Sequence, residues 1–209
     1  MNSLTRRFRL AGPGGTIEVL RDEPPAGHAA RGMAVIAHPH PLFGGTMDNK
    51  VVQTLARAFV QSGWVALRFN FRGVGASEGE HDEGRGETED MLSLVAGQAG
   101  EGPLALAGFS FGSFVAARAL AALWGTRAID KIVLVGTAAS RFEVASLPPE
   151  AHDRALVVHG EQDDTVPLAA VMDWARPQSL PVTVVPGGGH FFHGQLPLLK
   201  SLVLRHLRS

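Results

Sequence analysis

The chain has 209 residues, 45% hydrophobic and 19% charged, with a formal net charge of −1. That suits one domain, residues 1–209, with a sizeable core, and the balanced charge argues against nucleic acid or an anionic membrane as partner. The absence of cysteine excludes disulfides, thiolate metal sites and a cysteine nucleophile.

Residues 1–10 carry Arg6, Arg7 and Arg9 with no apolar run behind them, so no signal peptide is expected. No apolar stretch is long enough to span a bilayer, and the expected location is cytoplasmic. Residues 5–10 and 16–20 read as two edge strands around the turn Gly12-Pro13-Gly14-Gly15. The unbroken apolar run 33–37 reads as a buried parallel strand. Residues 48–62, with Val51, Val52, Leu55, Phe59 and Val60 at helical spacing, form a helix ended by Gly63. Strand 64–69, helix 87–98, strand 104–107 and an Ala-rich helix 112–124 follow. Strands 131–135 and 155–158, helix 168–175, strand 182–185 and helix 195–207 complete the chain. Such alternation predicts an α/β class with a parallel sheet covered on both faces. Ligands of such sheets bind beyond the carboxyl ends of the strands.

Gly108-Phe109-Ser110-Phe111-Gly112 fits G-x-S-x-G, and it stands where that motif has mechanical meaning, between a strand and a helix. The glycines allow a tight turn that raises the Ser110 hydroxyl over the sheet. The same turn aims the Phe111 N–H at a developing oxyanion. A serine hydroxyl needs a base, and on this strand–turn–helix the acid and then the histidine come later in the chain. Of the histidines after Ser110, His190 ends a glycine-rich loop just beyond a strand. His193 is its nearest rival, His159 closes a strand, His206 lies in the terminal helix, and His152 is the fifth. Asp163 stands three residues after Gly160 and three before Val166 and is the expected acid; its neighbour Asp164 is the alternative, or else a cap for the helix near Pro167.

A second oxyanion donor is expected from His38-Pro39-His40-Pro41-Leu42-Phe43-Gly44-Gly45. The prolines have no N–H, which leaves His40, Leu42 and Phe43, with Leu42 favoured. Gly73-Val74-Gly75 is no dinucleotide fingerprint, because the third glycine position holds Glu78. Arg72 beside it is expected to brace this turn, or else to touch an anionic group of the substrate.

Together these segments, with Phe69-Asn70-Phe71-Arg72-Gly73-Val74-Gly75 and Gly189-His190-Phe191-Phe192-His193-Gly194, resemble the α/β-hydrolase superfamily. More narrowly they resemble the small lidless bacterial hydrolases related to carboxylesterases and dienelactone hydrolases. The resemblance implies an α/β-hydrolase fold, with an eight-stranded, mostly parallel sheet whose second strand is antiparallel. It implies Ser110, Asp163 and His190 as catalytic triad, and Phe111 and Leu42 as oxyanion donors. Two departures matter: dienelactone hydrolases use cysteine where this chain has Ser110, and residues 136–154 are too few for a lid domain. An open cleft with His40, Phe43, Phe109, Phe111, Phe191 and Phe192 nearby suits a small-molecule acyl ester, although phenylalanines more often fill cores. The expected reaction is ester hydrolysis through an acyl-enzyme, with no cofactor. Three other readings stand beside it. One is a peptidase or thioesterase on the same triad. Another is a binding protein on this fold. The third is a metal site of His38, His40, His190 and His193, which would leave the serine turn without a purpose.

Overall fold

The computed structural model describes residues 5–25 and 29–208. Residues 1–4, part of the stretch expected to lack a signal peptide, and Ser209, the last of the expected domain, lie outside the described residues.

Strands β1 (Arg6–Gly12) and β2 (Gly15–Asp22) form an antiparallel hairpin closed at Gly12 and Gly15. Strands β3 (Met33–Ala37), β4 (Val65–Phe69), β5 (Leu104–Phe109), β6 (Ile129–Val135), β7 (Ala155–Gly160) and β8 (Val182–Val185) run parallel. The eight-stranded sheet has the order β1-β2-β4-β3-β5-β6-β7-β8, with β2 antiparallel to both its neighbours. Residues 16–20 are therefore not an edge. Val19 of β2 pairs with Phe69 of β4, and Ile17, Val19 and Leu20 are buried. The apolar density of this segment fits a strand with partners on both sides. Only β1 of the pair lies at the margin, and its residues are exposed or half-buried throughout.

Side-chain alternation divides the core into two layers. In β3, Val35 and Ala37 face one layer and Ala34 and Ile36 the other; Leu104 and Leu106 of β5 oppose Ala105, Ala107 and Phe109 in the same way. The first layer is covered by α2 (Arg85–Gln98), α3 (Phe111–Leu123) and α4 (Leu168–Ala175), through residues such as Met91, Val115 and Val171. The second is covered by α1 (Lys50–Gln61) and α5 (Leu196–Arg208), through Leu55, Phe59, Leu199 and Val203.

Two helices begin two residues away from the expected position, each for a capping reason. The Asn49 side chain accepts from Val51 N–H at 2.9 Å, so α1 starts at Lys50 and not at Asp48. The buried Glu87 carboxylate accepts from Gly84 N–H at 2.8 Å and Asp82 N–H at 3.0 Å. Glu87 is thus inside the first turn of α2, which starts at Arg85. Between β6 and β7 the chain makes a loop and one 3₁₀ turn, Pro149–Arg154, with no helical insertion over the strand ends. No helix among the described residues is long and apolar enough to cross a membrane.

Candidate active site

Ser110 joins β5 to α3 with φ 57° and ψ −118°, a conformation that most side-chain-bearing residues avoid. The residues two positions away on either side permit this because they are glycines. A Cβ on Gly108 would lie 2.1 Å from the Gly112 carbonyl oxygen, and one on Gly112 would lie 2.3 Å from that of Ala37. Ser110 N–H donates to the Val135 carbonyl at 2.8 Å. The Ser113 hydroxyl, fully buried, lies 2.7 Å from Gly108 O and 3.0 Å from Val135 O, and accepts from Val135 N–H at 3.1 Å. Ser113 thus clamps the strained turn to β6. Its position in an Ala-rich helix gave no sequence signal for that role.

The three residues expected to act together do meet. His190 Nε2 lies 3.0 Å from Ser110 Oγ, and His190 Nδ1 lies 2.7 Å from Asp163 Oδ2. All three are buried. A neutral imidazole protonated on Nδ1 satisfies both contacts, donating to the carboxylate and accepting from the hydroxyl. The other carboxylate oxygen, Asp163 Oδ1, accepts from Thr165 N–H at 3.0 Å and Val166 N–H at 2.8 Å. Burial opposes the charge on Asp163. Hydrogen bonds from His190 and the Val166 amide, and the nearby imidazoles, outweigh it and hold the carboxyl below its ordinary range. Asp164 is exposed and, among the described residues, bonds only to the Thr165 hydroxyl, at 3.3 Å; α4 is not capped by a side chain.

His159 packs behind this arrangement. Its Nε2 lies 2.8 Å from the Val166 carbonyl, which can only accept, and 3.4 Å from Asp163 Oδ2. Both side chains are completely buried. Burial lowers the His159 pKa against the opposing pull of the Val166 carbonyl and Asp163, so the ring is neutral with its proton on Nε2. The sequence placed His159 only at a strand end; its position behind the acid depends on the β7 turn folding back.

The loop after β3 departs from expectation. Leu42 N–H donates to His40 Nδ1 at 3.3 Å and Phe43 N–H to His40 O at 3.2 Å, and the Leu42 side chain is 69% exposed. The favoured oxyanion donor is thereby ruled out: the 3₁₀ turn Pro41–Phe43 turns its amides back onto His40. Of the three candidates, His40 alone has an N–H with no acceptor among the described residues, and His40 lines the cavity at Ser110. Phe111, first residue of α3, likewise keeps its N–H without an acceptor among them.

That cavity, of about 230 Å³, is walled by Phe43, Phe111, Phe142 and Phe191 beside Ser110 and His190. Phe109 and Phe192 do not line it. Both are fully buried in the second core layer, Phe109 because odd-numbered residues of β5 point there; the Phe109 ring supports His190 from below, with centroids 4.9 Å apart. Phe191 is the exposed member of its pair.

His38 is also structural. Its Nδ1–H donates to Pro39 O at 2.6 Å and its Nε2 accepts from Phe71 N–H at 2.9 Å, and burial lowers its pKa to about 4. With both nitrogens engaged it cannot serve a four-histidine metal site, and no group of three or more metal-ligating side chains occurs among the described residues. Arg72 takes the bracing role: it donates to both Asp90 oxygens, at 2.9 and 2.8 Å, and to Gly86 O at 2.8 Å, tying the β4 loop to α2.

A family model described as the alpha/beta hydrolase fold matches residues 40–155. The chain superposes on a Xanthomonas campestris α/β serine hydrolase without lid with a TM-score of 0.86 at 34% identity, covering 100% of this chain and 95% of that one. An α/β serine hydrolase homologue from Coxiella burnetii gives a TM-score of 0.83 at 37% identity, covering 97% of each chain. An uncharacterised Rickettsia prowazekii protein is 42% identical over 88 residues, 40% of this chain and only 37% of the longer relative.

Proposed function

Since the chain belongs to the α/β-hydrolase fold family, we propose that it hydrolyses carboxylic esters through an acyl-enzyme on Ser110. The observation that carries this reading is the unbroken hydrogen-bonded chain from Ser110 Oγ through His190 to Asp163, at 3.0 and 2.7 Å. In this reaction Ser110 Oγ attacks the ester carbonyl while His190 Nε2 takes its proton. Asp163 holds the Nδ1–H and stabilises the imidazolium. The N–H groups of Phe111 and His40 stabilise the tetrahedral oxyanion, a contribution of about 3 kcal/mol per donor in comparable sites. His190 then protonates the departing alcohol. Water, activated by the same imidazole, attacks the acyl-enzyme and releases the acid, restoring Ser110. The open cavity with aromatic walls suits a small or medium acyl group.

A fluorophosphonate probe tests the serine, and an ester panel the reaction. Wild type is expected to label at Ser110 and to turn over esters. Ser110→Ala should do neither, and Asp163→Asn should lose on the order of 10³–10⁴ in kcat. Asp164→Asn should stay within about twofold of wild type, as surface changes do. A folded wild type that never labels contradicts the proposal and favours a binding protein. Labelling with amide or thioester turnover, but none of esters, moves the same site to a peptidase or thioesterase.

A further inference from the structure

We propose that the ester substrate carries a free carboxylate, bound by the guanidinium of Arg141 at the wall of the Ser110 cavity. This rests on the ester-hydrolase reading and adds the substrate's charge to it. The residues lining the cavity include Arg141 and not one aspartate or glutamate, so a substrate entering beside Ser110 meets a positive wall. The loop after β6 places the arginine there. Arg141 N–H and Phe142 N–H both donate to Ala138 O, at 3.2 and 3.1 Å, and this turn sets the two side chains on the cavity together with Ala138.

Other arginines of the fold have their carboxylates: Arg68 has Asp22, Arg72 has Asp90, Arg85 has Asp82 and Arg176 has Asp173. Among the described residues Arg141 has no ion pair within 4 Å and no hydrogen-bond acceptor for its side chain. Glu83 and Glu143 share an adjoining groove with Arg141 and Arg118, and neither pairs with it. The positive field reaches His40, whose pKa is lowered first by burial, then by His81, with Arg141 adding to it against Glu87. A guanidinium presents a planar fork matched to a carboxylate, and neighbouring aromatic walls strengthen that pair relative to open water. Because Arg141 is itself exposed, the gain is moderate and sensitive to salt.

Two pairs of esters that differ only in charge test this. One pair is the mono-4-nitrophenyl ester of adipic acid and its terminal amide, with the charge on the acyl side. The other is 4-acetoxybenzoate and 4-acetoxybenzamide, with the charge on the leaving group. For wild type and Arg141→Gln, the ratio of kcat/KM, anionic over neutral, is measured within each pair. In at least one pair the wild-type ratio should exceed the variant's by about tenfold, and the excess should shrink from low to high salt. Turnover of the neutral esters with equal ratios in both proteins would overturn the carboxylate inference and leave ester hydrolysis standing. Turnover of none of the four would remove ester hydrolysis and the inference with it.

Discussion

At the residue scale, the distinctive feature is how completely Asp163 is held. One oxygen takes two backbone amides, and the other takes His190 Nδ1 with His159 Nε2 beside it. Such a carboxylate can neither rotate nor readily protonate, so it fixes the imidazole in the tautomer that accepts from Ser110. His159 acts through Val166: its Nε2–H donates to the Val166 carbonyl and steadies the residue whose amide holds Asp163, which gives a specific expectation. His159→Leu should lower kcat about tenfold with little change in KM, whereas His159→Gln, which restores an N–H, should recover most of it. Steady-state kinetics of both variants, with melting curves to confirm folding, decide this; equal losses in both would make His159 a packing residue only. Ser110, Asp163 and His190 were legible in the sequence because each follows a strand end at a recognisable spacing. His159 and Arg141 were not. Their roles arise from contacts made by loops that fold back, and no local pattern marks such contacts.

At the scale of elements, the serine turn is the costly part. A non-glycine residue at φ 57° is tolerated because Gly108 and Gly112 let strand, turn and helix close up, and because Ser113 fastens α3 to β6. Ser113→Ala removes a buried hydroxyl held by Gly108 O, Val135 O and Val135 N–H, and it should destabilise the fold by about 2 kcal/mol in urea unfolding. A change below about 0.5 kcal/mol would show that the turn holds itself without the clamp. The elements themselves were readable from hydrophobic period, and the differences are instructive. β2 gained a second neighbour because strand order across a sheet is not a property of local sequence. α2 began two residues early because Glu87 bonds backward to Gly84 and Asp82. Leu42 failed as an oxyanion donor because a 3₁₀ turn, not an extended loop, follows β3, and the amide of a turn residue points inward.

At the scale of the whole molecule, the sheet brings segments 80 residues apart, at Ser110 and His190, into one hydrogen bond. It also buries neutral histidines that make stability depend on pH. His38 titrates near 6.5 when unfolded but only at about 4 in the fold. Between these values the unfolded chain binds more protons. Stability is therefore full above 6.5, falls as pH drops toward 4, and changes no further from this group below that. The loss from His38 alone is about 3 kcal/mol, and His40, His159 and His206, whose pKa values are also lowered, act in the same direction. Asp163 works in a separate window, since a carboxylate held below its ordinary range withdraws its contribution only below about pH 4. Denaturant unfolding at pH 7.5, 5.5 and 4.5 reads the histidine window, and a flat profile would contradict the buried neutral state.

The proposed reaction turns on a covalent bond to one oxygen. Wild type mixed with excess 4-nitrophenyl butyrate, acid-quenched within the first turnovers and digested, should yield a butyrylated peptide whose modification maps to Ser110. It should appear together with a burst of nitrophenolate close to one per chain. Turnover that persists in Ser110→Ala, or an adduct that maps to any other residue, would contradict the proposed mechanism.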